Sequence, residues 1–108
     1  MAPGNDSSRE RVLGLLGLAY RSRRAVAGAT AAAMQLRKGR GVLVLLAADA
    51  SPETARRVRS WTGRRRVKVV AWGAKEELGA ALGRPVCTVV CFTDPGLARR
   101  LEELLRGV

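Results

Sequence analysis

Residues 42–47 read VLVLLA. Six apolar residues stand in a row with no polar alternation, over the usual length of a β-strand. A strand of that kind has both faces covered, so it belongs in the middle of a sheet with other structure packed above and below. Two further apolar runs follow, VKVVAW at 67–72 and VCTVVCF at 86–92, each of strand length. Helical patterns separate them. Ser51 fits an N-cap, Pro52 fits the first helical position, and the helix continues through Arg56, Arg57, Val58, Arg59 and Trp61 to end near Gly63. AKEELGAALG at 74–83 is a short helix closed by Gly83. Thr93 is the expected cap of a last helix, with Asp94 and Pro95 in its first turn and Leu97, Ala98, Leu101, Leu104 and Leu105 on its apolar face.

Upstream of Val42 the pattern is helical. Ser7 or Ser8 can cap a helix whose apolar stripe is Val12, Leu13, Leu15, Leu16, Leu18 and Ala19, and which Arg21, Arg23 and Arg24 end. Gly14 and Gly17 are poor helix formers and suggest close packing against a neighbour. Ala25–Ala27 is long enough only for a very short extended piece. A second helix is expected over 29–38, stopped by Gly39 and Gly41. Alternation of buried strands with helices predicts an α/β chain folded as a three-layer α/β/α sandwich, with a central mixed sheet of about four strands. One domain over 8–108, after a flexible leader over 1–7, accounts for the 108 residues. Only Trp61, Trp72, Tyr20 and Phe92 are aromatic, so the core is built from Leu, Val and Ala.

The charge is segregated. Of 20 Lys+Arg, 13 fall in residues 21–68, against two acids there, Asp49 and Glu53. The rest of the chain carries seven of each sign, so the whole net charge of +11 sits in one contiguous stretch. The bland reading is a solvated, arginine-rich surface, but solubility alone does not require such segregation, which suggests a surface built for a polyanion. Cys87 and Cys91 are the only cysteines. If both lay on one strand they would share a face about 13 Å apart, too far to bridge, so buried free thiols are expected. No apolar run reaches membrane-spanning length and MAPGNDSSRERV lacks a signal-peptide core, so a cytoplasmic protein with no membrane partner is expected.

Little in the chain suits catalysis. There is no histidine, which removes imidazole acid–base chemistry and His-based triads, and the two cysteines lack a metal-binding spacing. GLLGLAYRSRR has neither the spacing of a P-loop nor a strand before it, and GRGVLV runs in the wrong order for a dinucleotide fingerprint. Asp49 ends the central strand, where α/β enzymes often keep a catalyst, but a strand-to-helix junction is also where Asp serves as a turn or cap residue. The expectation is therefore no catalytic residue, no metal and no cofactor. Binding fits better. GATAAAMQLRKGRG at 28–41 places small residues at a helix start, where unpaired amides can face phosphate, with Arg23 and Arg24 before it and Arg37, Lys38 and Arg40 after it.

Four segments, LLGLAYRSRRAVAG, RKGRGVLVLLAADASPETARRV, VKVVAWGAKEELGAALGR and VVCFTDPGLARRL, occur in an order that resembles the bacterial YlxQ-type members of the kink-turn-binding ribosomal protein family of L7Ae and L30e type, over roughly residues 12–105. The resemblance implies a small α/β/α sandwich that binds structured RNA, often a sharply bent internal loop, and a partner that is ribosomal or ribosome-associated. It implies contact at the helix start after Gly28 and at the loop before the last strand, Gly83, Arg84, Pro85 and Val86. Ala29, Thr30 and Ala31 match positions where the family has polar or acidic side chains touching bases, and Met34 matches a common lysine. Thr30 keeps a hydroxyl, whereas Ala31 and Met34 cannot donate or accept, so backbone amides and arginines are left to carry binding through shape and phosphate contacts. A protein-interaction or ribosome-assembly scaffold that kept the fold is the alternative. A monomer is the expectation for a domain this small.

Overall fold

A computed structural model describes residues 3–107. Five helices and four strands follow one another as α1 (Pro3–Arg21), β1 (Ala25–Ala27), α2 (Ala29–Arg37), β2 (Leu43–Leu46), α3 (Pro52–Arg65), β3 (Lys68–Ala71), α4 (Lys75–Ala81), β4 (Val89–Phe92) and α5 (Pro95–Arg106). The strands form one sheet in the order β1-β4-β2-β3. β2 lies inside it, parallel to β3 and antiparallel to β4, and β1 closes the far edge antiparallel to β4. The parallel pair needs a crossover, which α3 supplies. This is the three-layer α/β/α sandwich with a four-stranded mixed sheet that the apolar runs require.

All four residues of β2 and all four of β4 are buried. Successive side chains nevertheless go to opposite faces. Leu43, Leu45, Val90 and Phe92 pack with Val12, Leu15, Leu16 and Ala19 of α1, Leu78 of α4 and Leu101 of α5. Val44, Leu46, Val89 and Cys91 pack with Ala32 and Leu36 of α2 and Val58 of α3. A continuous apolar sequence thus serves two separate cores, one on each side of the sheet.

Several boundaries differ from those expected. α1 begins at Pro3, so Ser7 and Ser8 lie inside the helix and neither caps it. Proline suits a first turn because its missing amide would be unpaired there in any case. Residues 1 and 2 of the expected leader are outside the described residues. α3 runs past Gly63 to Arg65, and the residue that stops it is Arg66, in the left-handed conformation at φ 57. Asp94, not Thr93, caps α5: its carboxylate accepts from the Leu97 amide at 2.8 Å. Thr93 is used by the sheet, its amide donating to the Arg24 carbonyl at 2.9 Å. The Ser51 cap of α3 is as expected, with Oγ accepting from the Thr54 amide at 3.1 Å.

β4 starts at Val89, three residues later than the apolar run, because the ladder with β2 begins at the Leu46–Val89 pair. Cys87 therefore precedes the strand, and its amide donates to the Lys75 carbonyl at 2.9 Å. The two thiols are free and buried, as expected, but they enter opposite cores rather than sharing a strand face. Burial pushes the Cys91 thiol up to about 11, so it stays neutral. Gly17 does allow a close approach, since a Cβ there would lie 3.0 Å from the Ala81 carbonyl of α4, whereas Gly14 faces open space.

Candidate nucleic-acid interface

The α1–β1 corner, the start of α2 and the α4–β4 loop meet at one end of the sandwich. α1 ends in a Schellman motif: the Arg24 amide donates to the Ala19 carbonyl at 2.8 Å and the Arg23 amide to the Tyr20 carbonyl at 3.1 Å. Arg23 holds the left-handed position of that motif at φ 63. The chain then enters β1 and pairs with β4, and the Gly28 amide donates to the Val89 carbonyl at 2.8 Å. Gly28 has φ 97 and ψ 156, a backbone region almost closed to residues with a Cβ. It redirects the chain from strand to helix without a side-chain cap. The first intrahelical bond joins the Ala32 amide to the Gly28 carbonyl at 3.0 Å, so the amides of Ala29, Thr30 and Ala31 precede the helix ladder and face out of its N-terminus.

The opposite wall is the loop after α4. α4 also ends in a Schellman motif, with the Arg84 amide on the Gly79 carbonyl at 2.8 Å and Gly83 left-handed at φ 76. The loop lies flat on α4 because Gly79 has no side chain: a Cβ there would stand 2.7 Å from Val86 Cα and 2.8 Å from both the Arg84 carbonyl oxygen and the Val86 amide nitrogen. Arg84, Pro85 and Val86 are all exposed. The Arg84 guanidinium turns toward α2, 3.8 Å from where a Gly28 Cβ would be, and sits 5.9 Å from the Tyr20 ring centroid. Between the walls runs a groove of about 650 Å³, into which Tyr20, Arg21, Arg23, Ala31, Gln35 and Arg84 project. Guanidinium groups beside the open amides of a helix start can hold an anionic backbone bent across this end of the sandwich.

The structure therefore gathers Arg23, Gly28, Ala29, Thr30, Ala31 and Arg84 at one end, with Pro85 and Val86 on the loop. Thr30 is exposed, and Ala29 and Ala31 are half-buried. Arg24 and Met34 are exposed but do not line the groove. Arg37, Lys38 and Arg40 stand at the other end of α2, about 13 Å along a helix of nine residues. Tyr20, Arg21 and Gln35 were not among the residues that sequence singled out. Gln35 had a readable signal: it lies four residues after Ala31, on the same helix face.

Asp49 is explained by structure. Its carboxylate accepts from the Lys75 amide at 2.9 Å, tying the loop after β2 to the start of α4. Among the described residues no three His, Cys, Asp or Glu side chains come together as a metal site, and no helix is long and apolar enough to cross a membrane.

Comparison with known proteins defines the class. Residues 10–101 match the ribosomal protein L7Ae/L30e/S12e/Gadd45 family, and the chain belongs to that family. It is 37% identical over 91 residues to the RNA-binding protein YlxQ of Bacillus subtilis, covering 84% of this chain and 91% of that protein. It is 26% identical over 103 residues to the RNA-binding protein YlxQ of Enterococcus faecium, covering 95% and 99%. The resemblance to YlxQ-type proteins is thereby borne out. Among solved structures, a Bacillus halodurans protein of unknown function superposes with a TM-score of 0.82 at 30% identity, covering 88% of this chain and 96% of that one. The Giardia lamblia 15.5kD RNA binding protein superposes with a TM-score of 0.75 at 25% identity, covering 94% and 88%.

Proposed function

We propose that this protein binds structured RNA of kink-turn type, without catalysing a reaction, by seating the bend in the groove between the start of α2 and the α4–β4 loop. The observation that carries the reading is the approach of the Arg84 guanidinium to Gly28, at the start of α2, beside a groove lined by Arg21, Arg23, Ala31 and Gln35. The names of the YlxQ relatives and of the Giardia protein support RNA as the ligand class. With Ala31 and Met34 unable to read base edges, the Gln35 amide and the Tyr20 hydroxyl are the groove groups that can both donate and accept. Affinity comes mainly from phosphate contacts and the shape of the bend. The same reading makes the chain a cytoplasmic monomer that works on ribosomal or ribosome-associated RNA, as the family name suggests.

The test is a titration of a kink-turn RNA, an unbent duplex and a single strand at one salt concentration, with the parent protein and with Arg84→Gln. The parent is expected to prefer the kink-turn RNA, and Arg84→Gln to reduce that preference by about tenfold, on the scale of one charge-assisted bidentate contact. Equal affinity of the parent for all three RNAs would favour the scaffold alternative.

A further inference from the structure

We propose that a second surface, formed by the outer face of α3 and continued by the C-terminal end of α2, holds the duplex stem that adjoins the bend; this rests on the groove reading for the identity of the RNA, not for the chemistry of the face. α3 carries Arg56, Arg57, Arg59, Arg64 and Arg65, and Arg66 ends it. All six are exposed. Arg56, Arg59, Ser60 and Gly63 recur at helical spacing on the side away from the core, while Val58 and Thr62 face inward. The Arg65 Nε donates to the Leu36 carbonyl at 2.8 Å, which joins the end of α3 to the end of α2 and brings Arg37, Lys38 and Arg40 alongside. The three ion pairs among the described residues are Arg9–Glu77, Lys68–Glu102 and Arg100–Glu103, so none engages the arginines of this face, and the one acid on α3 is Glu53 in its first turn.

The chemistry of the face selects its partner. Nearly all the cations are arginines, whose planar fork matches phosphate oxygens. A single-stranded ligand would need an aromatic platform, but Trp61 is half-buried in the core and Arg57 covers its ring at 5.3 Å. A protein partner would need a cluster of apolar anchors, but among the described residues the exposed large apolar side chains are Leu18, Met34, Val42 and Val86, of which none is on α3 and Met34 alone is on α2. Guanidinium groups separated on the outward side by Ser60 and Gly63 suit the backbone of an A-form helix, which is read by phosphate and shape.

Helix-dipole complementarity does not account for the pattern. It favours cations in a last turn, which covers Arg37, Arg64 and Arg65 but not Arg56, Arg57 and Arg59. Backbone conformation supplies an independent sign. α3 ends in a Schellman motif, with the Val67 amide on the Thr62 carbonyl at 3.1 Å and Arg66 in the left-handed position. In the same chain α2 and α4 fill that position with Gly39 and Gly83. An arginine is kept on the basic face where glycine would be less strained.

The experiment uses Arg56→Gln/Arg59→Gln/Arg64→Gln, since glutamine matches arginine in helix propensity and folding can be verified by circular dichroism and melting. Should the triple variant fail to fold, Arg59→Glu alone is measured in its place. The probes are an unbent 20-base-pair RNA duplex, a kink-turn RNA with long stems, and the same kink-turn trimmed to minimal stems. The variant is expected to bind the duplex and the long-stemmed RNA about tenfold or more weakly, and the trimmed RNA within twofold of the parent. Unchanged affinity for the duplex and the long-stemmed RNA overturns the proposal, as does an equal loss on all three. Polyglutamate bound by the parent as tightly as duplex, and released by the variant, would give the face to an acidic protein instead. If the groove reading fails, the parent binds bent and unbent RNA alike while the duplex arm still reports on α3.

Discussion

Arg23 and Arg66 share a conformation, φ 63 and φ 57, and a place, the left-handed residue that ends a helix. Each costs about 1–2 kcal/mol relative to a residue without a Cβ, less the greater chain entropy glycine loses on folding. One arginine lies at the groove and the other on the α3 face. Arg66→Gly should therefore raise the melting temperature by about 2–6 °C, from a net gain of about 0.5–1 kcal/mol, while weakening duplex binding. Differential scanning calorimetry and one titration measure both. A lower melting temperature would show that the Arg66 side chain supports the fold by more than its left-handed backbone costs. Neither position was legible in sequence: arginine has no preference for left-handed backbone, so Arg23 read as part of a helix end and Arg66 as part of a run between helix and strand.

α4 shows what a seven-residue helix can do when it contains one glycine. Gly79 brings the Arg84–Val86 backbone against the helix, and that loop holds Arg84 beside Gly28. Gly79→Ala places a Cβ 2.7 Å from Val86 Cα, so the loop must move. A loss of about 1–3 kcal/mol in stability and weaker binding of kink-turn RNA are expected together. Gly14→Ala is the control, because nothing lies within 4 Å of its added Cβ. In a helix interior it should stabilise by about 0.5–1 kcal/mol and leave binding alone. If the two variants melt alike, the loop is not held by that close approach. The helices and strands themselves were largely legible. VLVLLA announced a doubly covered strand, and Ser51-Pro52 announced a helix start, because burial and capping act through neighbouring residues. The late start of β4, the cap at Asp94 and the docking of the loop were not, because pairing with β2, the call on Thr93 by Arg24 and the packing of Gly79 on Val86 all join residues distant in sequence or in different elements.

The surplus of positive charge was legible as a total over residues 21–68, but not as two surfaces. Folding divides it along α2. Arg21 and Arg23 go to the groove at the N-terminal end of that helix, where Arg84 joins them from outside the basic stretch. Arg37, Lys38 and Arg40 go to its other end, beside α3. One RNA that occupies both surfaces must release counterions from both. A kink-turn RNA trimmed to minimal stems meets three groove arginines, so its log–log salt slope should be near −2 to −3, taking about −0.7 to −0.9 per phosphate. Long stems that reach α3 add at least three phosphate contacts and should steepen the slope to about −5. Titrations of both RNAs across the same salt series measure the difference directly. Equal slopes would mean that the stem leaves the groove away from α3, so that the two basic surfaces serve different molecules rather than one bent RNA.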